Sequence, residues 1–110
     1  MADTGRVDLQ RLGALVERLF DLSMDAAVSP EDRRALLADG RRLRGLFVNL
    51  ASARFDEALA ELRTADAALQ KSVEFADRAR QGLESTRRLL DSVGRALTVL
   101  DKLLELGTHV

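Results

Sequence analysis

The amino-acid sequence predicts an all-α protein, an antiparallel helical bundle of three to four helices with a heptad-patterned C-terminal half. The apolar residues are mainly leucine, alanine and valine, with four phenylalanines and no tyrosine or tryptophan, a composition that suits helix packing better than sheets. Apolar residues recur at spacings of three and four along most of the chain. Pro30 directly follows a serine, which is typical of a helix start, and no other proline is present. With 110 residues, the chain is expected to form one helical-bundle domain, residues 1–110.

The first helix is predicted over residues of about 6 to 27 from its apolar spacing. The positions that define this spacing are Val7, Leu12, Leu15, Val16, Leu19, Phe20 and Leu22. A second helix is predicted to begin at Pro30, because Ser29 can cap it and Pro30 needs no hydrogen-bonded N–H at the first helical position. The short turn between these helices predicts that they are antiparallel neighbours.

Residues 30–106 are predicted to be helical, with candidate breaks near 50–54 and 80–84. At the second break, Gly82 can end one helix and Ser85 can cap the next. Both breaks together give four helices of about 22 to 26 residues each, the proportions of an up-and-down bundle. A single break leaves one helix of about 50 residues, roughly 75 Å long, which would need a second copy of the protein to cover it. Gly107 is predicted to end the last helix.

A seven-residue repeat runs through the C-terminal half and predicts helix–helix contact, either within the chain or between two copies. We call these positions the heptad seam: Leu62, Leu69, Ala76, Leu83, Leu90, Leu97 and Leu104. The last helix is apolar over more than half of its circumference, which indicates partners on several sides.

Five arginines cluster early in the second predicted helix, four of them on the side opposite to its core leucines and Arg42 beside these four. They are Arg33, Arg34, Arg41, Arg42 and Arg44. The cluster can be a solvated helix face, a phosphate or nucleic-acid site, or a contact for an acidic partner segment. Leu37 and Val48 lie among the arginines, which fits a protein interface. The aliphatic part of an arginine side chain packs on apolar surface, while its guanidinium binds carboxylates with two hydrogen bonds. The acidic segment at residues 55–66, FDEALAELRTAD, is the candidate partner for these arginines, either within the chain or across a dimer.

Composition argues against several classes of function. A net charge of −1 does not favour a protein that binds nucleic acid or membranes through bulk charge. The chain has no cysteine, and its single histidine, His109, is the second-last residue, so no catalytic, cofactor-binding or metal-ligating residue is assigned and we expect no enzyme activity. No apolar run approaches the length of a membrane span, and fifteen arginines against two lysines suggest a GC-rich bacterial gene, so a cytoplasmic bacterial protein is expected.

We therefore expect a non-enzymatic helical interaction module without a cofactor, acting as an oligomerising adaptor, a chaperone-like protein or a regulatory protein. Its expected partner is a second copy, as in a dimer, or another helical protein. The candidate interface residues are Leu37, Val48, Leu62, Leu69, Leu83, Leu90, Leu97 and Leu104. The alternative is a nucleic-acid-associated protein that places the arginines on phosphates. A third hypothesis is a ligand pocket lined by Ala65, Ala76 and Ala79.

Overall fold

The computed structural model describes residues 5–109 and shows four helices packed as a bundle of 43 × 22 × 21 Å. The all-α prediction is confirmed, in its four-helix form. The alternative with one helix of about 50 residues is wrong, because the chain turns at both candidate breaks. The elements are α1 (Leu9–Ser23), α2 (Pro30–Ser52), β1 (Ala53–Arg54), α3 (Leu59–Arg80), α4 (Thr86–Leu106) and β2 (Thr108–His109).

The bundle consists of two helical hairpins, α1–α2 and α3–α4, that pack side by side. Polar contacts show that α1 and α3 run parallel: Asp8 N–H donates to Asp66 Oδ1, and ten residues further along α1, Arg18 Nε donates to Asp77 Oδ1 at 2.6 Å. On the other side α2 packs against α4, where Arg42 pairs with Asp101. The link from α2 to α3 therefore crosses the bundle diagonally.

Helix boundaries follow the local chemistry of the chain. The Ser29 hydroxyl accepts a hydrogen bond from Asp32 N–H at the start of α2, and Ser85 accepts one from Arg88 N–H at the start of α4. At the end of α3, Leu83 N–H donates to Arg78 O and Gly82 N–H to Ala79 O, while Gly82 has a φ of 74°. This is a Schellman ending, which needs the left-handed conformation that glycine adopts most easily.

The first helix is shorter at both ends than the apolar spacing predicts. It begins after Asp8, whose carboxylate accepts a hydrogen bond from Arg11 N–H and so caps the helix. It ends at Ser23, and the chain then turns because Asp25 Oδ1 accepts a bond from Ala27 N–H. The predicted range of 6 to 27 therefore included the cap and part of the following turn.

The core is a continuous cluster of leucine, alanine and valine from all four helices. The stripe of the second helix is buried as its spacing predicts, with Leu36, Leu43 and Leu50 at or below 1% exposure. Ala65 and Ala76 are fully buried in the same cluster, and the partly buried Ala79 packs against it.

One end of the bundle, which we call the strand end, brings together three distant parts of the chain. Strands β1 and β2 pair antiparallel, with Ala53 opposite His109 and Arg54 opposite Thr108. On the other side of the linker, Phe55 N–H donates to Gly5 O at 2.7 Å. The Phe55 ring is 1% exposed and packs so closely on Gly107 that a Cβ there would lie 2.5 Å from ring atom Cε1. Val110 lies outside the described residues.

The heptad seam is interrupted at its middle by the turn between α3 and α4. Leu83 lies in the turn between α3 and α4 and is 64% exposed. Because the chain folds back there, Leu62, Leu69 and Leu97 are buried inside the same molecule. The repeat therefore packs α3 and α4 into the bundle, and only Leu83, Leu90 and Leu104 keep exposed or partly exposed side chains.

Two helix glycines are expected to lower stability for no structural benefit. A Cβ built at Gly45 in α2 or at Gly94 in α4 meets no atom within 4 Å. We expect Gly45→Ala and Gly94→Ala each to raise the free energy of unfolding by about 0.5–1 kcal/mol, because alanine favours the helix and restricts the unfolded chain. Urea unfolding followed by circular dichroism measures this change. Gly40→Ala is the matched control, since its Cβ would lie 2.8 Å from Phe20 Cε1 and should remove the gain.

Candidate helix-docking face

The second helix exposes a stripe of basic and apolar residues, which we call the outward face of α2. It consists of Arg34, Leu37, Arg41, Arg44 and Val48, at successive spacings of three and four. This is the spacing of a coiled-coil seam, so the stripe runs along the helix and is suited to contact a second helix. Val48 is 74% exposed and Leu37 is half-buried.

The five predicted arginines do not all lie on this face. Arg34, Arg41 and Arg44 are exposed there. Arg42 points toward α4 and pairs with Asp101, while Arg33 is half-buried beside α1 and its Nε is a buried nitrogen with no hydrogen-bond partner among the described residues. The cluster is therefore divided between two helix junctions and one solvent-facing stripe.

Arg44 is positioned by an aromatic ring of the neighbouring helix. Its guanidinium carbon lies 5.5 Å from the centroid of Phe20, a half-buried side chain of α1. Beneath the same ring lies Gly40, where any Cβ would approach the ring to 2.8 Å. Stacking on the ring orders the guanidinium but leaves its N–H groups available to acceptors. Sequence reasoning missed this contact, because nothing in the spacing of α1 and α2 fixes which residues meet across the hairpin.

Beyond Glu31 and Asp32 in its first turn, α2 supplies little negative charge beside the outward face. Asp39 is the only acidic residue between Arg33 and Ser52, and it lies half-buried with Arg42 as its nearby cation. Burial raises the pKa of the Asp39 carboxyl, and the charge of Arg42 acts in the opposite direction. Among the residues that the structure describes, no carboxylate forms an ion pair with Arg34, Arg41 or Arg44.

The acidic segment at 55–66 does not cover this face within the molecule. It forms the α2–α3 linker and the start of α3, and α3 packs on α1 and α4, diagonally across from α2. Asp56 is bonded to Arg54, and Asp66 accepts the Asp8 N–H bond. A cleft of about 240 Å³ adjoins the outward face at its N-terminal end, lined by Ser23, Pro30, Arg33, Arg34 and Leu37.

Other classes of site are not indicated by the described part of the chain. Residues 5–109 contain no group of three or more histidine, cysteine, aspartate or glutamate side chains placed to hold a metal ion. None of the helices in that range has the length and apolar character needed to cross a bilayer. No protein-family model, curated protein or solved structure matches this chain.

Proposed function

We propose that the protein is a non-enzymatic interaction module that binds a helix of another protein through the outward face of α2. The observation that carries this proposal is the spacing of the face. Arginines alternate with Leu37 and Val48 at three- and four-residue intervals, on a surface where no described carboxylate pairs with the arginines. The complementary partner is an amphipathic helix with acidic residues beside its apolar stripe.

The apolar members of the face distinguish a protein partner from nucleic acid. Phosphate contacts need cations but gain nothing from an exposed valine, whereas a docked helix buries it and excludes water from the flanking ion pairs. Val48, at 74% exposure, is the most exposed large apolar side chain of α2. We therefore favour a helical protein partner over the nucleic-acid alternative.

Charge reversal on the face is expected to weaken binding of an acidic helix by about tenfold or more. The probe is a synthetic amphipathic helical peptide with a leucine stripe flanked by glutamates, and its binding is measured by fluorescence anisotropy. The variant is Arg41→Glu with Arg44→Glu, which replaces two attractive pairs by repulsive ones. Arg78→Glu with Arg87→Glu is the matched control, because it makes the same change in net charge on exposed residues of α3 and α4.

A second variant separates the protein and nucleic-acid interpretations. Val48→Ser removes an apolar contact, so it should weaken binding of the peptide. Because it leaves the charge unchanged, it should not alter binding of a DNA duplex. If the peptide binds no better than its glutamine-substituted version, or if the control variant weakens it equally, the proposed interface is wrong. Duplex binding that depends on Arg41 and Arg44 but not on Val48 would favour the alternative.

Self-association is the other expected way of binding a partner. Fewer residues of the heptad seam are exposed for it than the full repeat contains. Leu62, Leu69 and Leu97 are buried in the core, so a second copy that used the seam would contact the exposed Leu83 and the partly exposed Leu90 and Leu104. Light scattering on a sizing column over a range of protein concentrations measures whether a dimer forms.

A further inference from the structure

A small cleft between α3 and α4 is lined by three cations and one aromatic ring. Lys71 Nζ lies 5.7 Å and Arg88 Cζ 5.8 Å from the centroid of the Phe75 ring. The cleft has a volume of about 80 Å³ and is lined by Lys71, Phe75, Arg88, Asp91, Ser92 and Arg95. It lies on the α3–α4 hairpin, away from the outward face of α2.

The cleft is positively charged although the protein as a whole is not. It contains three cations and one carboxylate, Asp91, in a chain with a net charge of −1. Neither Lys71 nor Arg95 forms an ion pair with any residue that the structure describes, and the contact of Arg88 with Glu84 is long, at 3.7 Å. The cations therefore keep hydrogen-bond donors available for an external acceptor.

The ring of Phe75 orients two of these cations without using their donors. A cation over an aromatic face is held by the ring quadrupole, while its N–H groups remain directed toward the surroundings. Arginine then offers a planar fork and lysine a point charge, the combination that suits a tetrahedral anion with several oxygen atoms. At about 80 Å³ the cleft is small, which suits a single anionic group better than a nucleotide.

We propose that this cleft binds a phosphate group, held by Lys71, Arg88 and Arg95. Asp91 opposes the anion, so binding is weak and depends on the balance of these four charges. The ligand is either free inorganic phosphate or a phosphorylated side chain of a protein, since both present the same dianionic oxygens. The proposal is independent of the outward face of α2, and either one can fail while the other stands.

The test is a titration of the full chain with inorganic phosphate at constant ionic strength, followed by NMR of the arginine side-chain Nε–H groups. We expect the Arg88 and Arg95 signals to shift and saturate. Lys71→Gln and Arg88→Gln should each weaken binding by about threefold to fivefold. Phe75→Leu, which keeps every charge, should weaken it as well because the cations lose their orientation.

Two further variants make the result decisive. Asp91→Asn should tighten phosphate binding by about threefold, because it removes the opposing charge. Arg78→Gln, which removes a positive charge outside the cleft, should leave it unchanged. If Arg78→Gln weakens binding as much as Arg88→Gln does, or if Asp91→Asn has no effect, phosphate is attracted by overall charge and the site does not exist.

A comparison of ligands then identifies the source of the phosphate. A short phosphoserine peptide that binds tighter than inorganic phosphate, and loses binding when dephosphorylated, shows that the cleft recognises a modified protein. Equal affinity for both shows that the cleft recognises the free anion. No saturable shift with either ligand overturns the proposal.

Discussion

Replacing Phe55 by alanine is expected to lower the free energy of unfolding by about 3–5 kcal/mol, the largest single effect that we anticipate. The ring is 1% exposed and fills the strand end against Gly107. Its removal leaves a cavity that the surrounding backbone cannot close, because Phe55 N–H and C=O are themselves bonded to Gly5 and Ala58. Chemical denaturation followed by circular dichroism measures the loss, and a small domain has only about 5–15 kcal/mol in total.

Phe55→Leu provides the matched control, since it keeps most of the apolar volume and should cost less than about 1.5 kcal/mol. Gly107→Ala tests the same contact from the other side. Its methyl group would overlap the ring, so a loss of about 1–3 kcal/mol is expected. A Phe55→Ala variant as stable as the original protein would show that the ring does not fill the strand end.

The second large effect concerns a pair of buried hydroxyl groups in the middle of the α3–α4 hairpin. Ser72 is 0% and Ser92 5% exposed, and their Oγ atoms are 2.8 Å apart. Ser72→Ala alone, or Ser92→Ala alone, should lower the free energy of unfolding by about 1–3 kcal/mol, because the remaining hydroxyl is left buried without its partner. The double variant should be close to the original protein or more stable, since alanine also favours the helix.

Denaturation of all four proteins forms a double-mutant cycle for this pair. The expected signature is strong coupling, with the double variant more stable than either single one. Purely additive effects would mean that each hydroxyl bonds to its own helix backbone once the other is gone. In that case the pair contributes little to the packing of α3 on α4.

The chemistry that sets the starts of α2 and α4 and the end of α3 was readable in the sequence, whereas both ends of α1 were misplaced. Each of the two turns between hairpin helices is marked by residues that cap a helix end. Before α2 these are Ser29 and Pro30, and between α3 and α4 they are Gly82 and Ser85. The heptad seam was harder to interpret. A seven-residue repeat continues through the turn at Leu83, so periodicity alone could not separate one long helix from a hairpin that folds on itself.

Features that depend on contacts between distant residues were not predictable. Nothing near Ala53 or Thr108 resembles a strand, and these residues pair only because the bundle brings them to the same end. The phase of α2 correctly placed Arg41, Arg44 and Val48 toward solvent, but Arg42 was assigned to the same cluster although it faces α4. The Phe75 cleft was missed because its cations come from two helices whose register was unknown.

The meeting of three chain segments at the strand end has a consequence for the order of folding. Contacts within each hairpin join residues that are near one another in sequence, so both hairpins can form early with a small loss of chain entropy. The hydrogen bond from Phe55 N–H to Gly5 O closes the open end of the α1–α2 hairpin. The pairing of Ala53 with His109 instead joins the two hairpins, so it can form only after they have docked. The pairing of β1 with β2 is therefore the last part of the fold to close.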